Sequence, residues 1–391
     1  MRIRFSKIAT LAIFAALASG CEQVAPDSPG GSLVKRGEYL AKIGVCAACH
    51  TPPKTEGANC PATESPIDLE RRTNPDWLAY LDETRPMAGG VPFLIRFDAN
   101  TSGVVHSRNI TPDPDTGIGN WTDAQIKDAL RNGRRPDGTA IIRFPPHTFY
   151  EKLAEDDLTA LVAYLRSLKP VQHAVLPSKL PFPMPAGNAG PAAPTAPTGR
   201  SNERADYLMA SLVGCKECHS HNAPDGTLRP FIGGDPSDPV LGVFRLGPDL
   251  PLRQNEQGLA TFPYPGYALL WGPNLTEFGQ NGPEKDVPAS ELVKAIRTGV
   301  SPENDKDGRP GLLAHVMMWQ FYKDMSDDDA YSIANYLKDL NYVPHKTPPI
   351  RYFGADRNGM FKYLFNAAPS ASDQALFGLN SPVNSVACGN P

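Results

Sequence analysis

The sequence has few of the features that mark a membrane-spanning or nucleic-acid-binding protein. Beyond residues 1–20, no apolar run is long enough to cross a bilayer as a helix. An excess of basic charge is also missing: 38 Lys and Arg residues face 42 Asp and Glu residues, and the net charge of -4 argues against nucleic acid as a partner. Alternating patterns typical of strands are weak throughout, so we expect an all-α fold class.

Proline and glycine are abundant instead. The chain has 41 Pro and 34 Gly among 391 residues, which indicates long irregular loops, and its length suggests two or three domains. Only short helices are predicted, with Thr122 and Ser326 as N-caps and Gly133 as a helix stop. These helices cover residues 34–45, 122–132, 154–168 and 326–340.

The N-terminus is typical of a bacterial export signal. A basic start precedes an apolar run over residues 8–17 that is too short to span a bilayer, and small residues then lead into Cys21. This order resembles a lipobox, in which cleavage after residues 1–20 leaves Cys21 as a lipid-modified N-terminus; the alternative is an ordinary secretory signal. We therefore expect a periplasmic lipoprotein that is anchored to a membrane through its lipid.

The rest of the chain contains one internal repeat. Its landmarks recur in the same order: Tyr39-Leu40 and Tyr207-Leu208, the two cysteine motifs described below, Gly89-Gly90 and Gly233-Gly234, Asn109-Ile110-Thr111 and Asn274-Leu275-Thr276, residues 128–133 and 294–299, and the helix ends at Leu165 and Leu337. They predict two similar domains, residues 32–170 and 201–345. The Ala/Pro/Gly-rich residues 171–200 would form a semi-rigid linker. Residues 346–391 are a C-terminal extension whose aromatic cluster, 360–365, is expected to pack back on a domain.

Each repeat carries one Cys-x-x-Cys-His motif. The residues are Cys46, Cys49 and His50 in the first repeat and Cys215, Cys218 and His219 in the second. Two cysteines one helical turn apart can each form a thioether with one vinyl group of a porphyrin, and the histidine that follows then binds the iron. The motifs predict two covalently attached c-type haems. A thioredoxin-like pair would need an α/β pattern, and a zinc ribbon would need its cysteine pairs much closer together.

Two further cysteines, Cys60 and Cys388, have no part in these motifs. In an oxidising compartment idle thiols tend to pair, so one interpretation is a Cys60–Cys388 disulfide that ties the C-terminal extension to the first domain. The sequence does not bring the two residues together in space, and the alternative of two separate thiols stays open.

The sixth ligand of each iron separates an electron carrier from a catalytic haem. A carrier closes both axial positions, and a methionine there raises the reduction potential. In the second repeat Met317, followed by Met318, lies shortly before the helix that begins at Ser326. We predict Met317 as the ligand, although a methionine at such a place can also fill the core.

With these residues in view, the chain resembles the dihaem c-type cytochromes built from two tandem cytochrome c domains, among them the cytochrome subunits that serve periplasmic dehydrogenases. Residues 109–121, Asn-Ile-Thr-Pro-Asp-Pro-Asp-Thr-Gly-Ile-Gly-Asn-Trp, are especially similar. By that likeness Asn109 and Trp121 contact the haem, and Asn274 is the counterpart of Asn109 in the second repeat. The loop also reads as a turn cluster that caps the next helix.

The resemblance further implies a Met-Pro pair before the last helix of each domain, and Met317 takes the methionine position. In the first repeat the matching residue is Pro145, and no methionine lies between Met87 and the linker. His147, two residues away, is our first candidate and would give a bis-His haem of lower potential. The alternatives are an open or water-bound site, or a distant ligand such as Met87 or His106.

These features favour an electron-transfer protein that takes electrons from a dehydrogenase or reductase and passes them to another carrier or an oxidase. No small-molecule substrate is firmly implied. A dihaem peroxidase-like oxidoreductase with an open haem in the first domain is the alternative enzyme, supported by the missing methionine. A lipid-anchored redox sensor or assembly subunit, working through its linker and extension, is a third interpretation.

Overall fold

The computed structural model describes most of the two repeats and little of the chain ends. The described residues are 32–52, 81–96, 102–141, 150–183, 185–222, 227–234, 243–246, 266–269, 271–304, 310–312, 317, 319–348, 351–355 and 361–363. Our predictions about Cys21, Cys60, Cys388, His147 and Met318 lie outside these residues.

Helices dominate the described part of the chain, in agreement with the predicted all-α class. They are α1 (Leu33–Ile43), α2 (Cys46–His50), α3 (Asp123–Asn132), α4 (Glu155–Ser167), α5 (Asn202–Ser211), α6 (Cys215–His219), α7 (Ala289–Thr298), α8 (Trp319–Tyr322) and α9 (Asp327–Asp339). Short 3-10 turns span Tyr150–Lys152 and Leu275–Phe278. Among the residues described, no helix combines the length and apolar character needed to cross a membrane.

The predicted helix ends are found where the local sequence indicates them. The Thr122 hydroxyl accepts a hydrogen bond from the Gln125 N–H, and the Gln125 side chain accepts one from the Thr122 N–H, which forms a capping box at the start of α3. Gly133 ends α3 with a left-handed φ of 62°. Ser326 caps α9, because its hydroxyl accepts a 3.2 Å bond from the Asp329 N–H.

One hydrophobic core joins both repeats. Helix α1 packs across α4 in the first repeat, and α5 packs across α9 in the second. The α1–α4 crossing is close at Gly37, where an added Cβ atom would lie 1.9 Å from the backbone oxygen of Ala160. Buried side chains from both repeats belong to a single cluster, including Leu40, Ile43, Leu158, Leu161, Leu208, Leu212, Ile333 and Leu337. Burial of this apolar surface therefore stabilises the two repeats together.

The described residues also contain short antiparallel strands that the sequence does not indicate. Strand pairing at this length depends on neighbouring chain and turns more than on an alternating pattern, which explains why it escapes sequence analysis. The two-stranded pairs are β1 (Pro92–Arg96) with β2 (Ser102–His106), β3 (His221–Asn222) with β4 (Leu228–Arg229), and β7 (Val300–Asn304) with β8 (Pro310–Leu312).

The C-terminal extension joins the second repeat through a four-stranded antiparallel sheet. Strand β9 (Arg351–Ala355) pairs with β6 (Gly266–Leu269), and β10 (Phe361–Tyr363) pairs with β9. Strand β5 (Val243–Leu246) forms the other edge, so the order is β10-β9-β6-β5. Residues 361–363 of the aromatic cluster pair with β9, and the predicted packing of the cluster on a repeat stays a prediction.

Residues 171–200 run along the first repeat and are bonded to the end of α3. The Gly187 N–H donates a 2.7 Å hydrogen bond to the backbone oxygen of Asn132. The Arg131 guanidinium donates one of 2.7 Å to the backbone oxygen of Gly190. Residues 171–200 are therefore bonded to the first repeat at more than one point.

Candidate haem sites

Each Cys-x-x-Cys-His motif forms its own short helix after a sharp turn. The predicted helix over residues 34–45 ends instead at Ile43, and α2 begins at Cys46 after Val45, whose φ is 60°. In the second repeat Gly214, with φ 60°, performs the same turn before Cys215. A β-branched residue pays a steric cost in this left-handed conformation, whereas glycine does not. Both repeats make the same turn, although only the second has a glycine, Gly214, at the left-handed position.

Among the described residues, no disulfide joins the four motif cysteines, and Cys46, Cys49 and Cys215 pack against the apolar core. Cys46 and Cys49, like Cys215 and Cys218, are three residues apart on a helix, so they lie about one turn apart on one face. Burial raises the pKa of Cys46, Cys215 and Cys218 to about 12 in each case. Neutral thiols suit thioether formation at an apolar macrocycle, and they differ from the thiolates of redox or zinc pairs.

The motif histidines are fixed by backbone carbonyl groups. The Nδ1 atom of His50 lies 2.7 Å from the backbone oxygen of Arg108, and that of His219 lies 3.0 Å from the backbone oxygen of Pro273. A carbonyl oxygen only accepts, so Nδ1 carries the proton and Nε2 keeps its lone pair. Burial lowers the pKa of His219, which favours the neutral ring. This arrangement fits an iron-ligating imidazole, whose other nitrogen typically donates to a carbonyl or carboxylate.

Asn109 and Asn274 hold the loops that supply these carbonyl groups. The Asn109 Oδ1 accepts from the Thr111 N–H at 3.0 Å and from the Thr111 hydroxyl at 2.7 Å, while its Nδ2 donates to the backbone oxygen of Val171 at 2.7 Å. Asn274 repeats the pattern with Thr276 and Val343. Each buried asparagine follows the carbonyl that accepts from the motif histidine. The haem contact of Asn109 and Asn274 stays a prediction. Their hydrogen bonds indicate that they position the loops whose carbonyl groups accept from the motif histidines.

A glycine in each repeat lets the chain pass close to the motif. The Gly89 N–H donates to the backbone oxygen of His50 at 2.6 Å, and the Gly233 N–H donates to that of His219 at 2.9 Å. Both have left-handed φ values, 76° and 84°. An added Cβ atom on Gly89 would lie 2.4 Å from the carbonyl carbon of Arg108, so no side chain fits there.

The remaining predicted site residues are distributed around the motifs. Trp121 is half-buried and packs against a small cluster that includes Ile118 and Ile126. Met317 is half-buried and lies two residues before α8. Met87 is buried with a left-handed φ of 61°, and the second repeat has Phe231 with φ 65° at the equivalent place. The roles of Trp121 and Met317 stay predictions.

Sequence reasoning missed a tyrosine pair beside the motifs. The Tyr150 hydroxyl donates a 2.9 Å bond to the backbone oxygen of Gly44, and the Tyr322 hydroxyl donates a 3.1 Å bond to that of Val213. Both tyrosines are buried and carry a pKa raised well above the ordinary value, chiefly by burial. Each lies four residues before the N-cap of the last helix of its repeat, at Ala154 or Ser326, and this shared spacing was the available signal.

The chain is similar to cytochrome c subunits of known dehydrogenases. No family model matches the chain. It is 26% identical over 332 residues to the cytochrome c subunit of gluconate 2-dehydrogenase from Pantoea cypripedii, covering 81% of this chain and 62% of that protein. It is 27% identical over 378 residues to the cytochrome c subunit of a quinone alcohol dehydrogenase from Komagataeibacter europaeus, covering 88% and 62%.

A third relative matches along most of its own length. The chain is 28% identical over 317 residues to a diheme cytochrome c-type protein from Cereibacter sphaeroides, covering 78% of this chain and 84% of that protein. By contrast, the chain spans about three fifths of the two dehydrogenase subunits. These names confirm the prediction of a c-type cytochrome and of covalently bound haem c as its cofactor.

Proposed function

We propose that this chain, a dihaem c-type cytochrome, receives electrons from a dehydrogenase partner and passes them to another carrier or to an oxidase. The observation that carries the proposal is the repetition of one Cys-x-x-Cys-His motif, with its histidine held by a backbone carbonyl, in both halves of the chain. Its relatives include cytochrome c subunits of gluconate and alcohol dehydrogenases, which supports a dehydrogenase as the donor.

The chain's own residues prepare each site for electron exchange. Haem iron, when bound, supplies a couple that gains or loses one electron. Cys46 and Cys215 lie against the shared apolar core, which limits the water that would have to reorganise when the charge changes. The carbonyl groups of Arg108 and Pro273 keep His50 and His219 in one orientation and one tautomer. These features favour transfer with little structural change.

The proposal includes the axial ligands. Met317 would be the sixth ligand of the second haem, and its half-buried position just before α8 is compatible with that role. His147 would be the sixth ligand of the first haem. With one His/Met and one bis-His haem, the two potentials would differ and would give electron flow a direction.

The proposal also includes the location and the division of the chain. Residues 32–170 and 201–345 would each form a cytochrome c domain, and residues 171–200 would connect them. Lipid-modified Cys21 would anchor the protein to a membrane in the periplasm. The order of basic, apolar and small residues before Cys21 supports the anchor.

The experiment compares host membranes that contain the chain with membranes that lack it. Gluconate or an alcohol is added, and reduction of the chain's haems is followed by their visible absorption. We expect substrate-dependent reduction, and a Cys215→Ser/Cys218→Ser variant serves as a control that retains only the first haem. If ascorbate reduces the haems but neither donor does so, the proposed dehydrogenase coupling is wrong.

A further inference from the structure

Two tyrosines connect the repeats in a reciprocal way. The Tyr39 hydroxyl on α1 donates a 2.6 Å hydrogen bond to Oδ2 of Asp329 on α9. The Tyr207 hydroxyl on α5 donates a 2.7 Å bond to Oδ2 of Asp157 on α4. Tyr39 and Tyr207 are counterparts in the sequence repeat, and so are Asp157 and Asp329. Each half therefore contributes a donor to the other half's carboxylate, and we name these four residues the reciprocal clasp.

The same hydroxyl groups also accept hydrogen bonds from the N-cap residues of α9 and α4. The Ser326 N–H donates a 3.1 Å bond to the Tyr39 oxygen, and the Ala154 N–H donates a 3.1 Å bond to the Tyr207 oxygen. Both of these N–H groups belong to N-cap residues. Each tyrosine thus acts as donor and acceptor at the start of the last helix of the other repeat.

Each carboxylate of the reciprocal clasp is completed by an arginine of its own repeat. Arg36 Nε donates to Asp157 Oδ1 at 2.7 Å, and Arg204 Nε donates to Asp329 Oδ1 at 2.7 Å. The side chains of Asp157 and Asp329 are fully buried. A buried carboxylate that loses one of its partners is costly, so separation of the repeats would expose the clasp to water or leave it unsatisfied.

The clasp residues lie on the helices that lead into the haem motifs. Only Gly44 and Val45 separate α1 from Cys46, and only residues 212–214 separate α5 from Cys215. The two connecting segments also meet, because a Cβ atom added to Gly44 would lie 3.1 Å from Cδ2 of Leu212. Any shift between the repeats would therefore move one attachment helix relative to the other.

We propose that the reciprocal clasp fixes the distance and angle between the two haem attachment helices and makes the two sites one rigid unit. The inference rests on the proposed electron-transfer function only in explaining why a fixed arrangement would be useful. The arrangement of the two attachment helices does not depend on a partner protein. Tyr39 and Tyr207 are positioning residues. Electron exchange between two haems depends steeply on their separation, so a fixed arrangement sets its rate.

The test uses the full haem-loaded chain with Tyr39→Phe, Tyr207→Phe and the double substitution. Phenylalanine keeps the ring and removes only the hydroxyl. Tyr336→Phe is the matched control, because the Tyr336 hydroxyl makes a longer, exposed 3.4 Å bond to Asp206 within the second repeat. The first readout is the bisignate Soret circular-dichroism signal, which reports the relative orientation of the haems. The second is the rate of electron exchange after a photosensitiser has reduced one haem.

We expect the double variant to have a weaker bisignate signal than the native protein and a slower exchange rate that depends on viscosity. Each lost bond to a buried carboxylate shifts the equilibrium toward opened arrangements by about tenfold, so the two substitutions together shift it by about a hundredfold. Both readouts of the single variants should lie between those of the native protein and of the double variant, and Tyr336→Phe should match the native protein. If the double variant keeps both the signal and the rate, the proposal is wrong. Photochemical reduction needs no dehydrogenase, so failure of the proposed function would leave these readouts intact.

Discussion

The Nδ1 atom of His50 lies 2.7 Å from the backbone oxygen of Arg108, and this bond leaves the lone pair of Nε2 available to a metal. The carbonyl comes from the residue before Asn109, so the asparagine network holds the histidine indirectly. The second repeat reaches the same result with Pro273 before Asn274. The two repeats thus share a backbone carbonyl beside Nδ1 of the motif histidine, although the residue that supplies the carbonyl differs.

Replacing Asn109 with alanine should loosen the loop that orients His50. The change removes an acceptor for the Thr111 N–H and a donor to Val171, so we expect a loss of about 1–3 kcal/mol in unfolding free energy. The reduction potential of one haem should also shift. Asn120→Ala is the control, because Asn120 makes one exposed bond to the Pro114 oxygen. Urea unfolding and redox titration check both effects; equal results for the two variants would contradict the positioning role.

Replacing Gly89 with alanine should cost far more than replacing Gly138. Both glycines have left-handed φ values, but a Cβ atom at Gly89 would meet the Arg108 backbone at 2.4 Å, whereas nothing lies within 4 Å of one at Gly138. We expect about 1–2 kcal/mol for Gly138→Ala, from the conformation alone. For Gly89→Ala we expect about 4 kcal/mol or more, because the backbone must also move. Thermal unfolding of the two haem-loaded variants provides the comparison, and a similar loss in both would show that the close approach has no energetic weight.

Replacing Arg204 with methionine should destabilise the whole chain. Arg204 and Asp329 are both fully buried, so the change leaves a buried carboxylate without its cation and should cost about 3–5 kcal/mol. Arg200→Met is the control, since its 3.4 Å pair with Asp328 is solvent-exposed and should contribute about 1 kcal/mol or less. Equilibrium unfolding in urea measures both, and a small effect at Arg204 would mean that the buried pair does not stabilise the second repeat.

Carbon monoxide should not bind promptly to the reduced native protein, because we propose that both irons have six ligands. His147→Ala and Met317→Ala should each expose one iron, so that about half of the haem binds the gas in each variant. The visible spectrum of the reduced protein with and without carbon monoxide gives the answer. Binding to half of the native haem would instead favour the peroxidase-like alternative with an open first site.

Local features of the fold follow from the sequence, and long-range ones do not. The capping box at Thr122, the stop at Gly133 and the cap at Ser326 depend on residues within four positions of each other, and the structure has all three. Tyr39 and Asp329 are 290 residues apart, and nothing in the sequence near either one indicates the other.

The candidate sites divide in the same way. The Cys-x-x-Cys-His motif is a local pattern with a defined chemical requirement, so it predicts the attachment residues directly. The turn at Val45 is not visible, because valine rarely adopts a left-handed conformation and only the surrounding packing imposes it. Tyr150 and Tyr322 are visible only when the two repeats are aligned on their last helices.

The most direct test of the account is to count the haems and establish how they are attached. The full chain, produced in a host that matures c-type cytochromes, is extracted with acidified acetone, and the haem retained on the protein is measured as its pyridine complex. We predict two retained haems per chain, and one in each of the Cys46→Ser/Cys49→Ser and Cys215→Ser/Cys218→Ser variants. Haem that leaves the native protein on extraction, or a native count below two, would contradict the assignment.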